Sequence, residues 1–309
     1  MTLAVGVLAV SSAAIWVRLS ELPPSVLAFY RMGLSAVGMV GVALVAGARR
    51  RQRPEPAGMT GRAWAPWAAL AGVSLAAHWS LWFASLDLTS VLSSTVLVTT
   101  QPLWVVLLGW ILWRQRLGRA RAAALAVALA GGMLVAVADG LRAASDAGAA
   151  GAKHSLYGDA LALLAAVLVS VYLLVGQRLR EMVPLVEYLR VVYASGAVTL
   201  GLINVLLGQP LWGWPSREVG IGLGLAVVPT LIGHSALNMV VARLGAATVA
   251  TAVLAEPVGA SLLALLLFGE APGALHWLGA ALVLAGIYLF AAPPRQPQDR
   301  GGNAYAPSR

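Results

Sequence analysis

The chain has 309 residues, 60% of them hydrophobic and 11% charged, with a mean hydropathy of +0.82. A water-soluble domain is about 45–50% apolar and about 25% charged, so a solvated surface over most of the molecule is excluded and lipid is the fitting solvent. The net charge of +9 does not mark a nucleic-acid binder, because the basic residues sit in gaps between apolar runs; the lack of cysteine removes disulfides, thiolate metal sites and cysteine nucleophiles.

A helix needs about 20 apolar residues to cross the roughly 30 Å hydrocarbon core. That scale gives ten predicted spans at 2–18, 25–47, 65–86, 89–113, 119–138, 157–176, 186–207, 218–238, 246–268 and 274–292. The first, MTLAVGVLAVSSAAIW, starts apolar and meets its first basic residue only at Arg18, the reverse of a cleaved signal peptide, so it reads as a retained span. The breaks that follow carry Leu22-Pro23-Pro24, the arginine cluster 49–53, Arg114 to Arg121, the Gly/Ala/Ser stretch 142–152, Gln209-Pro210 and Ala271-Pro272-Gly273, each charged or rich in helix-breaking residues. The tail 293–309 is polar and rich in proline and glycine, and is expected to be disordered.

With the N-terminus placed inside, fifteen basic residues fall on inner segments, among them Arg49, Arg50, Arg51, Arg53, Arg62 and the four of Arg114–Arg121. Four fall outside: Arg18, Arg142, Lys153 and Arg217. Positive charge collects on the cytoplasmic side, so an even number of spans with both ends cytoplasmic is expected, in the inner membrane of a bacterium. The Arg49–Arg62 loop reads as a topology determinant that also touches anionic membrane lipid.

The sequence resembles itself. Gln101-Pro102 matches Glu256-Pro257 at an offset of 155, which also aligns Gly131 with Gly286 and Ala124 with Gly279, while Phe29-Tyr30-Arg31 matches Tyr188-Leu189-Arg190 at 159. The expected fold is therefore an all-α polytopic membrane protein whose ten transmembrane helices form two five-helix repeats, 1–140 and 157–292, joined by an outer linker at 141–156. Five is odd, so the second repeat must be inverted. The charges agree: RQRLGRAR after the fourth span carries four arginines, and its counterpart GEAPGALH carries no Lys or Arg. Inverted repeats build many secondary transporters, with the site near midplane between the halves.

Three segments, LPPSVLAFYRMGLSA, ATVATAVLAEPVGASLLALLLFGE and LGAALVLAGIYL, resemble an arginine-marked second helix, a glutamate-proline ninth helix and the last helix of the EamA-type family within the drug/metabolite transporter superfamily. The resemblance covers about residue 5 to 292, with one departure: where helix nine ends in Gly269-Glu270, the first half has Arg114-Gln115. It implies a ten-helix bundle around a central cavity and export of amino acids or other metabolites, without fixing the substrate.

Polar residues inside the spans are the candidate site. Glu256 sits within the ninth span, where an ionisable group costs about 3 kcal/mol and usually faces a cavity or a partner; Pro257 cannot donate to the Val253 carbonyl and permits a kink. Glu256 reads either as proton carrier or cation ligand, or as a protonated or hydrogen-bonded brace. Gln101-Pro102 repeats the geometry without charge and reads as a cavity wall. His78, Trp79 and Trp82 lie on one helix, where 78 and 82 are four apart and share a face, as do His234 and Asn238, and the offset of 155 aligns His234 with Trp79; these groups can contact substrate, or bond between helices for about 0.6 kcal/mol each. Trp16 and Tyr172 could reach the same space, but an aromatic on a helix face is more often packing, so they are weaker candidates. Arg31 and Arg190, near span ends, are expected to snorkel to headgroups, with a substrate or gating role as the alternative, and the small residues at 124, 131, 279 and 286 to let backbones approach.

The function expected is a secondary transporter exporting a small metabolite, an amino acid or a related compound. The alternatives are a lipid or lipid-headgroup flippase and a drug or cation exporter of the same superfamily. No G-x-x-x-x-G-K-[ST] loop, H-E-x-x-H motif or paired aspartates occur, so neither ATP hydrolysis nor an intramembrane enzyme is expected, and no cofactor or metal. Because the chain has no cysteine, single reporters are readily placed. Cysteines introduced at Gly118 and Gly273 are expected to label from opposite sides of the bilayer; labelling from the same side breaks the inverted arrangement.

Overall fold

The computed structural model describes residues 1–50, 63–88, 94, 97–147, 156–269 and 272–292. The arginines at 51, 53 and 62, the linker from 148 to 155 and the tail from 293, three of the sequence-based expectations, lie outside the described residues.

Among the described residues the fold is all-helical, with no strand. A chain this apolar leaves its backbone no water to bond, and the α-helix pairs every amide within its own segment. The elements are α1 (Thr2–Ser11), α2 (Ala13–Leu19), α3 (Pro24–Arg50), α4 (Ala65–Leu88), α5 (Gln101–Trp113), α6 (Arg119–Ala147) and α7 (Leu156–Leu179), then α8 (Leu185–Leu206) and α9 (Ser216–Leu225). A π-helical stretch, Ala226–His234, joins α9 to α10 (Ser235–Leu244); α11 (Ala246–Val253), α12 (Glu256–Phe268) and α13 (Ala274–Ala291) complete the chain. Each of the ten predicted ranges contains helix. Six segments are long and apolar enough for a full crossing: Pro24–Val45, Leu156–Leu179, Leu185–Leu206, Ser216–Leu244, Ala246–Leu267 and Ala274–Ala291. The chain is a multi-pass membrane protein.

The side chains divide as lipid requires. On α8, Val198, Leu202 and Val205 are 60–67% exposed, whereas Leu189, Val192, Tyr193 and Leu200 are fully buried. Both faces are apolar, so the outward one meets acyl chains and the inward one meets protein. The ends are fastened by polar contacts. Near the start of α9, the buried Glu218 carboxylate accepts from Ser20 Oγ (2.7 Å), the Glu21 amide (3.2 Å) and Arg217 (2.7 Å), tying α9 to the segment after α2.

Helix packing runs mainly between the halves of the sequence, and the pattern survives their exchange. α4 packs on α7 as α1 packs on the π stretch and α10; α5 packs on α7 as α12 packs on α1; α6 pairs with α13 and α3 with α8. The α6–α13 crossing is close at two of its glycines. A β-carbon on Gly286 would lie 2.5 Å from the Ala128 nitrogen, and one on Gly131 would lie 2.6 Å from the Val283 nitrogen. The two contacts are mirror copies at the offset of 155, and the expected role of these glycines in close backbone approach holds.

One expectation about side-chain direction fails. Arg31 does not snorkel: it is 5% exposed and turned into the bundle. Its repeat counterpart Arg190 stays outside, paired with Glu187 at 3.5 Å one turn earlier. The residue at the matching position before Arg31 is Ala28, so Arg31 has no local counter-ion to hold it at the surface. Trp16 packs against Gly224 in an outer cluster with Leu22, Val26 and Tyr30, which is structural packing.

Gly286→Leu is expected to lower stability by at least about 1–3 kcal/mol, because the new side chain meets backbone that cannot move aside. Gly132→Ala, whose β-carbon meets nothing within 4 Å, is expected to be neutral or mildly stabilising. Thermal unfolding of both in detergent, followed by tryptophan fluorescence, compares them.

Candidate functional site

The fourth and ninth predicted spans are both broken just before their X-Pro pair. A proline removes one ladder donor and its ring collides with the carbonyl four residues back, at a cost of about 3 kcal/mol inside a helix. The chain avoids this by ending one helix and beginning another, which leaves proline in a first turn where its missing N–H is no loss. Before α12, Leu254 and Ala255 tighten to i→i−3 bonds, their amides donating to Thr251 O and Ala252 O at 3.1 Å. Before α5, the Thr100 and Leu103 amides make the same type of bond to Leu97 O (3.2 Å) and Thr100 O (2.9 Å).

Hydroxyls cover the carbonyls around the breaks. Thr100 Oγ1 donates to Leu97 O (2.6 Å) and Thr251 Oγ1 to Ala247 O (2.7 Å). Ser170 on α7 donates to Gln101 O (3.0 Å) as well as to Ala166 O (2.7 Å). Ser11, 159 positions earlier, donates to Val7 O at 2.8 Å and lies against Gly259 of α12. Each broken helix is thus abutted by a buried serine from the other half of the chain.

Glu256, expected in mid-helix, is instead the first residue of α12, where the helix dipole favours negative charge. It lies deep in the bundle and within electrostatic reach of Arg31, yet its side chain is only half-buried.

Around Arg31 the polar groups converge. Its Cζ sits 3.9 Å over the Trp79 ring, and its Nε donates to Thr230 Oγ1 at 2.8 Å. Thr230 Oγ1 donates on to Leu225 O (3.0 Å), the carbonyl that Pro229, with no N–H, cannot bond from four residues on. Trp79 meets the His234 ring edge-on at 6.0 Å, and His234 lies 6.2 Å from Tyr172. Trp79 and His234 occupy the same place in the two halves, at the offset of 155. His234 is half-buried although Trp79, Tyr172 and Arg31 beside it are buried.

The predicted pairs take different parts. His78 and Trp82 do share a face, their rings stacked at 6.1 Å. His78 Nδ1 donates to Ala165 O at 2.8 Å; a carbonyl can only accept, so the ring is held in that tautomer. Trp82 Nε1 is buried without a partner. Asn238 Nδ2 donates to Tyr172 Oη and to His234 O (2.8 Å), which makes Asn238 a brace for the ring pair beside it. Gln101 contributes its carbonyl to Ser170; among the described residues no hydrogen bond ties its side chain to either pair.

The model of the EamA-like transporter family matches residues 1–137 and again 156–292. The chain belongs to that family. A protein of Bacillus subtilis (strain 168) named "Uncharacterized transporter YwfM" is 27% identical over 241 residues, covering 76% of this chain and 75% of its own length. A crystal structure of a protein 19% identical aligns with a TM-score of 0.76 over 94% of this chain and 95% of its own; at that identity the likeness shows the fold.

In this EamA-like membrane transporter, sequence reasoning missed the centre of the polar cluster. Arg31 was legible as an arginine near a span end, and its unpaired local setting, Ala28 where Arg190 has Glu187, was the available signal. Thr230 lies one residue after Pro229, within the π stretch, and nothing in its spacing announced a partner for Arg31. Asn238→Leu is expected to leave Tyr172 Oη and His234 O without their donor and to cost about 1–3 kcal/mol. Chemical or thermal unfolding measures it, with exposed Met239→Leu as the control.

Proposed function

We propose that the chain is a secondary carrier that exports a small polar metabolite, amino-acid-like in kind, by alternating access in a bacterial inner membrane. The observation that carries this reading is the pair of helix breaks at Gln101-Pro102 and Glu256-Pro257, equivalent in the two halves. Irregular backbone at membrane depth is tolerated where it is buried in protein or lines a water-filled cavity, and transporter sites are commonly built from such discontinuous helices. Residues 1–140 and 157–292 act as two five-helix repeats of opposite orientation, the tail 293–309 and the N-terminus both cytoplasmic. The doubled family match, the exchangeable packing and the contact between Trp79 and His234 support a pseudo-two-fold axis running close to those rings.

Glu256 is then the coupling group, exchanging a proton or holding a cation as the site changes sides. His78, Trp82, His234 and Gln101 line or brace the path, with Asn238 fixing the ring pair. No covalent step is required of any of them, and the chain is not an enzyme in this reading.

The test is solute movement in proteoliposomes carrying the purified protein. Uptake or efflux of members of an amino-acid and amine panel is expected, together with acidification or alkalinisation of the lumen. Glu256→Gln is expected to reduce net transport at least tenfold while leaving the folded protein intact. Undiminished transport in that variant removes Glu256 from the coupling role, and a lumen into which no solute moves removes the carrier reading.

A further inference from the structure

Arg31 has donors to spare. Nε is taken by Thr230 Oγ1, and one face of the guanidinium lies over Trp79. The two terminal amino groups have no hydrogen-bond partner among the described residues, although Arg31 is 5% exposed. Glu256 is near enough to feel the charge, but no salt bridge joins it to Arg31 among the described residues. A buried guanidinium with one hydrogen bond is far short of its capacity of five, and in the membrane interior that capacity is met by cavity water or by a ligand.

We infer that the terminal Nη1–Nη2 edge of Arg31 is the anchor for a carboxylate on the transported molecule. This rests on the carrier reading above and specifies the class of its cargo. Anchoring at Nε and stacking on Trp79 fix the plane of the guanidinium, so the free edge is a preset two-donor fork that matches the two oxygens of a carboxylate. Glu256 is the reason for choosing a carboxylate over a phosphate: when ionised, it repels a multiply charged anion near Arg31 and attracts a cationic group. A molecule with one carboxylate and one ammonium fits both ends. Trp79, Tyr172 and the half-buried His234 supply apolar ring surface beside the fork. Arg31 comes from the first half of the chain and Thr230 from the second, so the fork sits on the seam that alternating access must rearrange.

The experiment uses the purified full-length protein and matched probes: L-leucine and L-phenylalanine, their carboxamides, and 3-phenylpropionate, an acid with no amine. Binding is read as ligand-induced thermal stabilisation, and transport as movement in proteoliposomes. Acids are expected to bind at least tenfold more tightly than the matching amides. Arg31→Gln is expected to abolish that preference, and Arg31→Lys, which keeps the charge but not the fork, to weaken acid binding about tenfold. Arg190→Gln, at the equivalent exposed position, is expected to leave the preference unchanged. Should Arg31→Gln fail to fold, the wild-type preference and its weakening in Arg31→Lys decide the matter. Equal binding of acids and amides, or a preference that survives in folded Arg31→Gln, overturns the anchor. Transport of amines or amides without any acid preference leaves the carrier standing and removes the anchor; acid binding that depends on Arg31 without solute movement does the reverse. Neither binding nor movement for any probe overturns both.

Discussion

A guanidinium held inside the bundle, away from the headgroups, is the constraint around which the interior is arranged. Burying such a charge costs several kcal/mol even after relaxation. The face-on contact with Trp79 returns about 2 kcal/mol when desolvated, and the hydrogen bond to Thr230 about 1.5–3 kcal/mol, so neither suffices alone. The rest comes from charge nearby, since Glu256 at the start of α12 lies within electrostatic reach of the guanidinium. In a chain with 11% charged residues, that concentration at one depth is expensive to maintain. It makes the centre of the bundle the one place where apolar packing gives way to chemistry.

The two helix breaks and the π stretch serve the same end by different means. Each opens the hydrogen-bond ladder at membrane depth and recruits side chains to cover what is opened. At Gln101-Pro102 the cover comes partly from the other half, through Ser170; at the π stretch the threonine responsible, Thr230, is also the anchor of Arg31. Backbone irregularity and charge burial are coupled here, because the threonine that accepts a hydrogen bond from the arginine donates its own to the carbonyl that Pro229 leaves unbonded.

Most of the architecture was legible in the sequence because membrane crossing imposes length and composition on every span, and the ten ranges read from hydropathy each hold helix. The glycines at 131 and 286 were legible for a similar reason: a backbone approach needs a missing side chain, and the spacing of seven puts two such gaps on one face. The site was legible only in part. Spacing of four correctly placed His78 beside Trp82 and His234 beside Asn238, since helix geometry is local. Spacing alone could not tell that Trp79, aligned with His234 at the offset of 155, would meet that ring edge-on. It also misjudged Arg31, because snorkelling depends on whether a counter-ion waits outside, and that was settled by Ala28.

The crossing of α6 and α13 bears on how such a chain can change over generations. The atoms that a methyl group would strike at Gly286 or Gly131 are backbone nitrogens of the opposite helix. Trimming a partner side chain gives no relief, so the loss of either glycine has no compensating change across the seam. Two copies of a duplicated unit, once fused, are free to drift apart wherever they face lipid. At this crossing each remains the mould of the other, and the notch must be inherited twice.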